Sequence, residues 1–316
     1  MTLDTLLVVN LQSFGDILLS THIATIANKY KPDLEVHFAF RKELTLTTAE
    51  NNINATADMV NIISRQPYVK SVGLIENGMY IGPLKRADKV IVIQGWSSQL
   101  GIVKSQLKPF YDMFDIKDPI NTETYFYGGE LTKNNFVPTI GLAGDLDFLR
   151  KWGNEEEYKK FLAYMLSNKY NIKIERFGVD TVSTSYWEQL QRLKTCDLLI
   201  SPMGSLIHAA AGFNVDTINI SSVFPTQYDS PEWYHSGYHK SVKVYLQSEL
   251  HCGDFKCIQF KPEDNQQSWG NPPTEFGFWP NNCPYTKSGK SCVYSVTADV
   301  LINKFEEWYG NRYNKL

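Results

Sequence analysis

Short apolar runs alternate with amphipathic stretches from the first residues onward, and that alternation restricts the chain to a small set of folds. Thr5 to Asn10 (TLLVVN) is an unbroken apolar run, as expected of a strand buried on both faces. Leu11 to Asp16 turn the chain, and Gly15 can take a positive φ in a tight turn. After Asp16, the residues Ile17, Leu18, His22, Ile23, Ile26, Ala27 and Tyr30 recur at helical spacing. Lys31-Pro32-Asp33 ends that helix, and Leu34 to Phe40 reads as a second strand. Strand, turn, helix, strand is the βαβ unit of a parallel sheet.

The pattern continues with a helical stretch around Ala49 to Ser64, strands at Val72–Ile75 and Lys89–Ile93, and a partly helical segment from Gln99 to Phe114. Asn121 to Phe136 is polar and irregular, contains Gly128-Gly129, and reads as a linker. A second βα series then begins: strands at Thr139–Leu142, Ile172–Phe177, Asp197–Ile200 and Thr217–Ile220, with helices at Asn154–Leu166, Ser185–Lys194 and Ser205–Gly212. Glu155, Glu156 and Glu157 suit the first turn of the first of these helices, where the dipole favours negative charge. Asp254 to Asn282 is rich in Pro, Gly, Gln and Asn and too long for an ordinary loop, so it reads as a lid or an excursion pinned by cysteines. Thr297 caps a last helix, with Asp299 in its first turn, running to about Trp308. With 316 residues and 43% apolar content, the chain can build roughly two domains with sizeable cores. The expected division is 1–130 and 131–296, two Rossmann-like domains facing across a cleft, with a C-terminal helix in 297–316 packing back on the N-terminal domain.

Charge narrows the partners. A net charge of −3 and a pI near 6.1, with only short basic clusters such as Lys29 to Lys31, disfavour nucleic acid as the main partner. No apolar run approaches the ~18 residues of a membrane span. Met1 to Asn10 lacks a basic leading region and a cleavage site, so it reads as a first strand rather than a signal peptide. The expectation is a cytoplasmic protein that can still work at a membrane surface. Aromatic content is 13%; such rings stack on sugars and bases or simply fill cores. Cys196, alone in an apolar segment, reads as a core residue. Cys252, Cys257, Cys283 and Cys292 are separated by 4, 25 and 8 residues, a spacing that suits either a tetrahedral thiolate site for zinc or iron or four free thiols.

Four stretches, in order, resemble glycosyltransferase family 9, the heptosyltransferase-like enzymes of GT-B architecture. They are Ser13-Phe14-Gly15-Asp16 after the first strand; Gln66-Pro67-Tyr68-Val69-Lys70-Ser71-Val72 followed by Val90 to Gly95 (VIVIQG); Arg150-Lys151-Trp152 before a long helix; and Gly204-Ser205-Leu206-Ile207-His208-Ala209-Ala210-Ala211. The ending from Cys283-Pro284-Tyr285 through Cys292 to Thr297 is similar as well. The chain departs from the family where Pro202-Met203-Gly204 replaces Asp-Thr-Gly, where Gly153 replaces Pro, and between Ile174 and Cys196, a stretch shorter by one βα unit.

The resemblance implies inverting, metal-independent transfer of a sugar, heptose or another, from a nucleotide-diphosphate donor to the hydroxyl of a glycan, one of lipopolysaccharide type included. Such transfer needs a base for the acceptor proton and donors or cations for the departing diphosphate. Asp16 is the candidate base, at the carboxyl end of a parallel strand where α/β sheets bind ligands; the plainer reading is a helix cap. Arg150 and Lys151 are candidate diphosphate contacts, or a solvated basic pair. Gly204 and Ser205 open a helix whose free N–H groups suit a pyrophosphate. His208, one turn in, is a candidate phosphate or ribose contact or a packed polar residue, and Thr226 follows the next strand into the same pocket. Ser13, Gln94, Trp96 and Ser97, with Ser98, fall on the acceptor side, or form an ordinary loop. Catalysis needs no cofactor in this scheme; some relatives hold a structural iron with cysteines, which is what the four clustered thiols would do. Two other functions stay open: a transferase acting on modified nucleic acid or protein, and a non-catalytic sugar or nucleotide reader, which Pro202-Met203 favours.

Overall fold

The computed structural model describes residues 3–11, 14–47, 52–93, 108–117, 126–133, 136–145, 148, 152, 154–167, 169–178, 185–202, 204–221, 243–247 and 296–313. Its framework is two five-stranded sheets. The first contains β1 (Thr5–Asn10), β2 (Glu35–Arg41), β5 (Val69–Glu76), β6 (Met79–Ile81) and β7 (Lys89–Ile93), in the order β6-β5-β2-β1-β7. All its pairs are parallel except β5–β6, a hairpin turned by Asn77 (φ 50°) and Gly78 (φ 77°). The second contains β8 (Thr139–Ala143), β9 (Lys173–Phe177), β10 (Leu198–Pro202), β11 (Asp216–Ser221) and β12 (Lys243–Gln247), all parallel, in the order β12-β11-β10-β8-β9. A small antiparallel pair, β3 (Thr45–Thr47) and β4 (Asn52–Asn54), stands apart.

Each sheet reverses its strand order once, between β1 and β7 in the first and between β8 and β10 in the second. At such a switch point the connecting helices leave on opposite faces, and a crevice opens at the carboxyl ends of the strands.

The expected N-terminal helix is broken into α1 (Phe14–Ser20) and α2 (His22–Tyr30). The hydroxyls of Ser20 and Thr21 donate to the carbonyls of Ile17 and Leu18, both at 2.7 Å, competing with the backbone for the ladder. The helix expected from Ala49 starts later, as α3 (Thr56–Ser64), because β4 takes the residues before it. α4 is Lys108–Met113, α5 Glu155–Met165, α6 Tyr186–Lys194, α7 Ser205–Gly212 and α8 Ala298–Tyr313. Helix α6 begins with a complete capping box: Ser185 Oγ accepts from Glu188 N, and the Glu188 carboxylate accepts from Ser185 N.

Packing joins the two sheets. Leu6, Val8, Val36, Phe38 and Phe40 from the first sheet share one buried cluster with α1, α2 and α3, and with Leu190, Leu193, Ile207, Ala210 and Ala211 of α6 and α7. The far face of the second sheet (Ile140, Leu142, Leu198, Ile200, Ile218, Ile220) packs with Tyr158 and Phe161 of α5 and with Leu301, Phe305 and Trp308 of α8. The expectation that the C-terminal helix returns to the N-terminal half is corrected here. Helix α8 packs on α5, β11 and β12, and Trp308 Nε1 and Arg312 Nη1 donate to the buried Asp216 carboxylate at 2.8 and 2.6 Å. An apolar stripe of Leu301, Ile302, Phe305 and Trp308 goes where apolar area is uncovered, and the second sheet offers that face.

The described part of the expected linker, 126–133, carries no helix or strand and is held from several sides. Gln66 clamps Tyr127 in both directions, its Oε1 accepting from the N–H at 2.7 Å and its Nε2 donating to the C=O at 3.1 Å. Phe126 N donates to Gly212 O at 3.2 Å, and Lys194 Nζ donates to Gly129 O at 2.6 Å. Gly129 has a φ of 81°, a left-handed conformation that favours glycine.

Candidate functional site

The two switch points face each other through helix starts. β1 ends at Asn10, and the chain enters α1 at Phe14; β10 ends at Pro202, and the chain enters α7 at Ser205. The two helices lie side by side in contact. A Cβ placed on Gly15 would sit 3.3 Å from both Cα and N of Ser205 and 3.4 Å from Cδ2 of His208. Seven residues further along each helix, a Cβ on Gly212 would lie 2.8 Å from Cε1 of His22, the first residue of α2. Equal steps on both sides mean that α1 with α2 and α7 run in the same direction, so their N-terminal ends lie together.

This corrects the role expected of Gly15. It lies in helical backbone rather than at positive φ, and what it supplies is close approach. Gly204, the N-cap of α7, has an extended backbone (φ 175°) and offers no side chain to the first turn. Ile207 N is taken by Gly204 O at 3.1 Å. The N–H groups ahead of it, on Ser205 and Leu206, are the orphan donors that every helix start carries.

Around this junction three further residues gather that sequence reasoning did not single out. Tyr186, the first residue of α6, is 6% exposed. Its Oη donates to Ser205 Oγ at 2.5 Å. Its ring stands edge-on to Phe14, with centroids 4.4 Å apart. Its N–H donates to Asp58 Oδ2, in the first turn of α3, at 2.6 Å. The helix expected at Ser185–Lys194 starts where the sequence put it, but nothing local signals a partner 128 residues away.

At the carboxyl edge of β8, Asp145 accepts from Arg176 Nη2 and from Tyr158 Oη. Trp152 is fully buried, packs with Phe148 and Phe161, and donates from Nε1 to Val296 O at 2.9 Å.

Of the residues expected at the site, the structure brings together the chain at Asp16, Gly204, Ser205 and His208. Asp16 is the third residue of α1, next to Gly15. His208 is buried, at 6% exposure, on the α7 face turned to α1. Ser13, Gln94, Trp96, Ser97, Arg150, Lys151, Thr226 and the cysteines Cys252, Cys257, Cys283 and Cys292 lie outside the described residues. Ile93, which precedes Gln94, pairs with Asn10 at the first switch point. Cys196 is buried, as its apolar setting predicts, and burial pushes its thiol up to about 12. Among the described residues no group of three or more His, Cys, Asp or Glu side chains could hold a metal, and no helix is long and apolar enough to cross a membrane.

Several solved structures share this fold. TibC, an iron-containing dodecameric glycosyltransferase from enterotoxigenic E. coli, superimposes with a TM-score of 0.59 at 10% identity, over 98% of this chain and 76% of that one. ADP-heptose lipopolysaccharide heptosyltransferase II of E. coli gives a TM-score of 0.56 at 10% identity, over 96% of this chain and 98% of that one. The chain has the heptosyltransferase fold. A family 9 glycosyltransferase from Veillonella parvula agrees, with a TM-score of 0.53 at 10% identity over 97% and 98% of the two chains. No family model matches the sequence, and no curated protein matches it. At this identity the likeness lies in the backbone plan.

Proposed function

We propose that the chain is a glycosyltransferase that moves a sugar from a nucleotide diphosphate to an acceptor hydroxyl. The observation that carries this reading is the contact of Gly15 with Ser205. It sets the turn bearing Asp16, from one sheet, beside a helix start with free N–H donors, from the other. In this reading one half supplies the Asp16 carboxylate and the other an anion site. In this scheme 1–130 binds the acceptor through Ser13, Gln94, Trp96 and Ser97. The 131–296 half binds the donor through Arg150, Lys151, Gly204, Ser205, His208 and Thr226.

The chemistry follows from those positions. Asp16 takes the acceptor proton as the oxygen attacks the anomeric carbon from the face opposite the nucleotide. The bond from that carbon to the β-phosphate oxygen breaks, the configuration inverts, and the nucleoside diphosphate leaves. Its growing charge falls on the α7 N–H groups and on Arg150, whose planar fork of donors matches phosphate oxygens. A helix start holds a carboxylate in its charged form, which weakens it as a base, and exclusion of water from the closed junction opposes that effect. No step calls for a metal at the reacting atoms. Cys252, Cys257, Cys283 and Cys292 are proposed instead as a structural iron or zinc site, a reading encouraged by the iron in TibC. Elemental analysis of the purified chain tests it, and protein free of both metals removes it.

TibC has also been solved with ADP-D-beta-D-heptose, so ADP and ADP-heptose are the first donors to try. The test is thermal unfolding with ADP, UDP and GDP and their sugars. A ligand at a hundred times its Kd adds about 2.7 kcal/mol to the native state. Selective stabilisation by one base supports the donor site, and Asp16→Ala should keep that stabilisation while losing transfer. No shift with any nucleotide removes the reading. The non-catalytic alternative keeps one specific feature in its favour, Pro202-Met203 in place of a carboxylate; it predicts a nucleotide shift with no transfer by the wild-type chain.

A further inference from the structure

Tyr186 touches the first turns of α1, α3 and α7 together. Its hydroxyl reaches Ser205 Oγ at 2.5 Å, its ring meets Phe14 at 4.4 Å, and its N–H meets Asp58 Oδ2 at 2.6 Å. It is nearly buried, so its hydroxyl needs a protein partner, and Ser205 is that partner. A serine hydroxyl carries one proton and two lone pairs. With a lone pair occupied by Tyr186, the Ser205 proton is left to point away from Tyr186, alongside the free N–H groups of α7.

We infer that Tyr186 is a positioning residue of the donor site, one that aims the Ser205 hydroxyl at the diphosphate of the bound nucleotide. The inference rests on the transferase reading above and adds a residue to it. Tyr186 acts through Ser205 and does not itself meet the substrate. Asp58 holds it from the other half, so the aim of Ser205 depends on how the two halves meet. Only the side-chain oxygen is dispensable to the fold in this arrangement. The ring packs on Phe14, and the bond to Asp58 comes from the backbone.

Tyr186→Phe therefore removes the aiming bond and keeps the ring on Phe14 and the backbone bond to Asp58. Calorimetric titration of the full chain with ADP, UDP and GDP is the test, alongside thermal unfolding without ligand. For the nucleotide that the wild type binds, Tyr186→Phe should weaken affinity about 5- to 10-fold, the size of one neutral hydrogen bond. Ser205→Ala should weaken it by at least as much, and the double variant should bind no worse than Ser205→Ala. Ser205→Thr, which keeps a hydroxyl, should retain most of the affinity and restore sensitivity to Tyr186→Phe. Unchanged affinity in Tyr186→Phe overturns the inference, and so do losses that multiply in the double variant, since they place the two residues in separate roles. If the wild type binds none of the three nucleotides, the transferase reading fails and the inference falls with it, an outcome visible before any variant is compared.

Discussion

Gly15→Ala and Gly15→Val probe the junction of the two halves directly. In Gly15→Ala the new methyl lies 3.3 Å from Cα and N of Ser205 and 3.4 Å from Cδ2 of His208. Carbon atoms prefer about 3.5–4.0 Å, so α1 and α7 must part by a few tenths of an ångström. The strain is of the order of 1 kcal/mol, the low end of overpacking in a filled core. Against it stands a gain of about 0.4–1 kcal/mol, because alanine has less freedom to lose than glycine and Gly15 is already helical. The two effects nearly cancel, so thermal unfolding of Gly15→Ala should stay within a few degrees of wild type, at ~2–4 °C per kcal/mol. Activity responds to position rather than to stability. A displacement near 1 Å can cost about 100-fold in rate, so a shift of tenths should cost roughly 3- to 10-fold in kcat/KM for sugar transfer. Gly15→Val adds two carbons beyond that methyl, crowding α7 further, and should lose about 2–3 kcal/mol together with nearly all transfer. The paired assays are thermal unfolding and initial rates on the donor identified by the nucleotide screen. Gly15→Val with wild-type stability and rate would refute the reasoning, because it would mean that α1 and α7 do not abut.

The C-terminal helix offers two independent tests. Asp216→Ala leaves the buried Trp308 Nε1–H without its acceptor and frees the half-exposed Arg312, so it should cost about 2–3 kcal/mol in denaturant unfolding; a loss under about 0.5 kcal/mol would mean that α8 is held by its apolar stripe alone. Glu306 receives Lys169 Nζ at 2.6 Å, with the hydroxyls of Tyr164 and Tyr170, and these donors hold its carboxyl down at about 2, below its ordinary 4.5. A lowered folded-state value contributes stability above 4.5 that is lost as the pH falls toward about 2, so the wild-type melting temperature should drop more steeply across that window than that of Glu306→Gln. Parallel curves for the two proteins would remove Glu306 from the acid response.

Much of the framework was legible because its signals are local. The apolar run Thr5–Asn10 is a central strand, flanked by β2 and β7, as a run with no polar face requires. The three glutamates after Asn154 mark a helix start that the structure keeps, and the helix read from Ser185 begins there too. Where local patterns compete, the reading slipped. The apolar spacing across Ser20-Thr21 looks like one helix, and only the hydroxyls' bonds back to the preceding turn divide it. Met79–Ile81 and Lys243–Gln247 are edge strands, where one paired neighbour is enough and the sequence pattern is correspondingly weak.

The site divides in the same way. Asp16 and Ser205 could be nominated from the sequence because each lies at a helix start after a strand, and the carboxyl ends of parallel strands are where ligands bind; His208 could be nominated because it lies one turn further on, in a stretch that resembles the family. Gly15 was nominated for a turn and serves instead to admit Ser205, a role invisible without the facing helix. Tyr186, Asp58 and Phe14 meet over gaps that no periodicity spans, and the side of the molecule to which α8 returns depends on which apolar face lies uncovered. The sequence by itself determined the order of strands and helices, since propensity, capping and apolar period act within a few residues. Only the tertiary structure decided which helix starts meet, because that choice is set by packing between surfaces that form after the helices do.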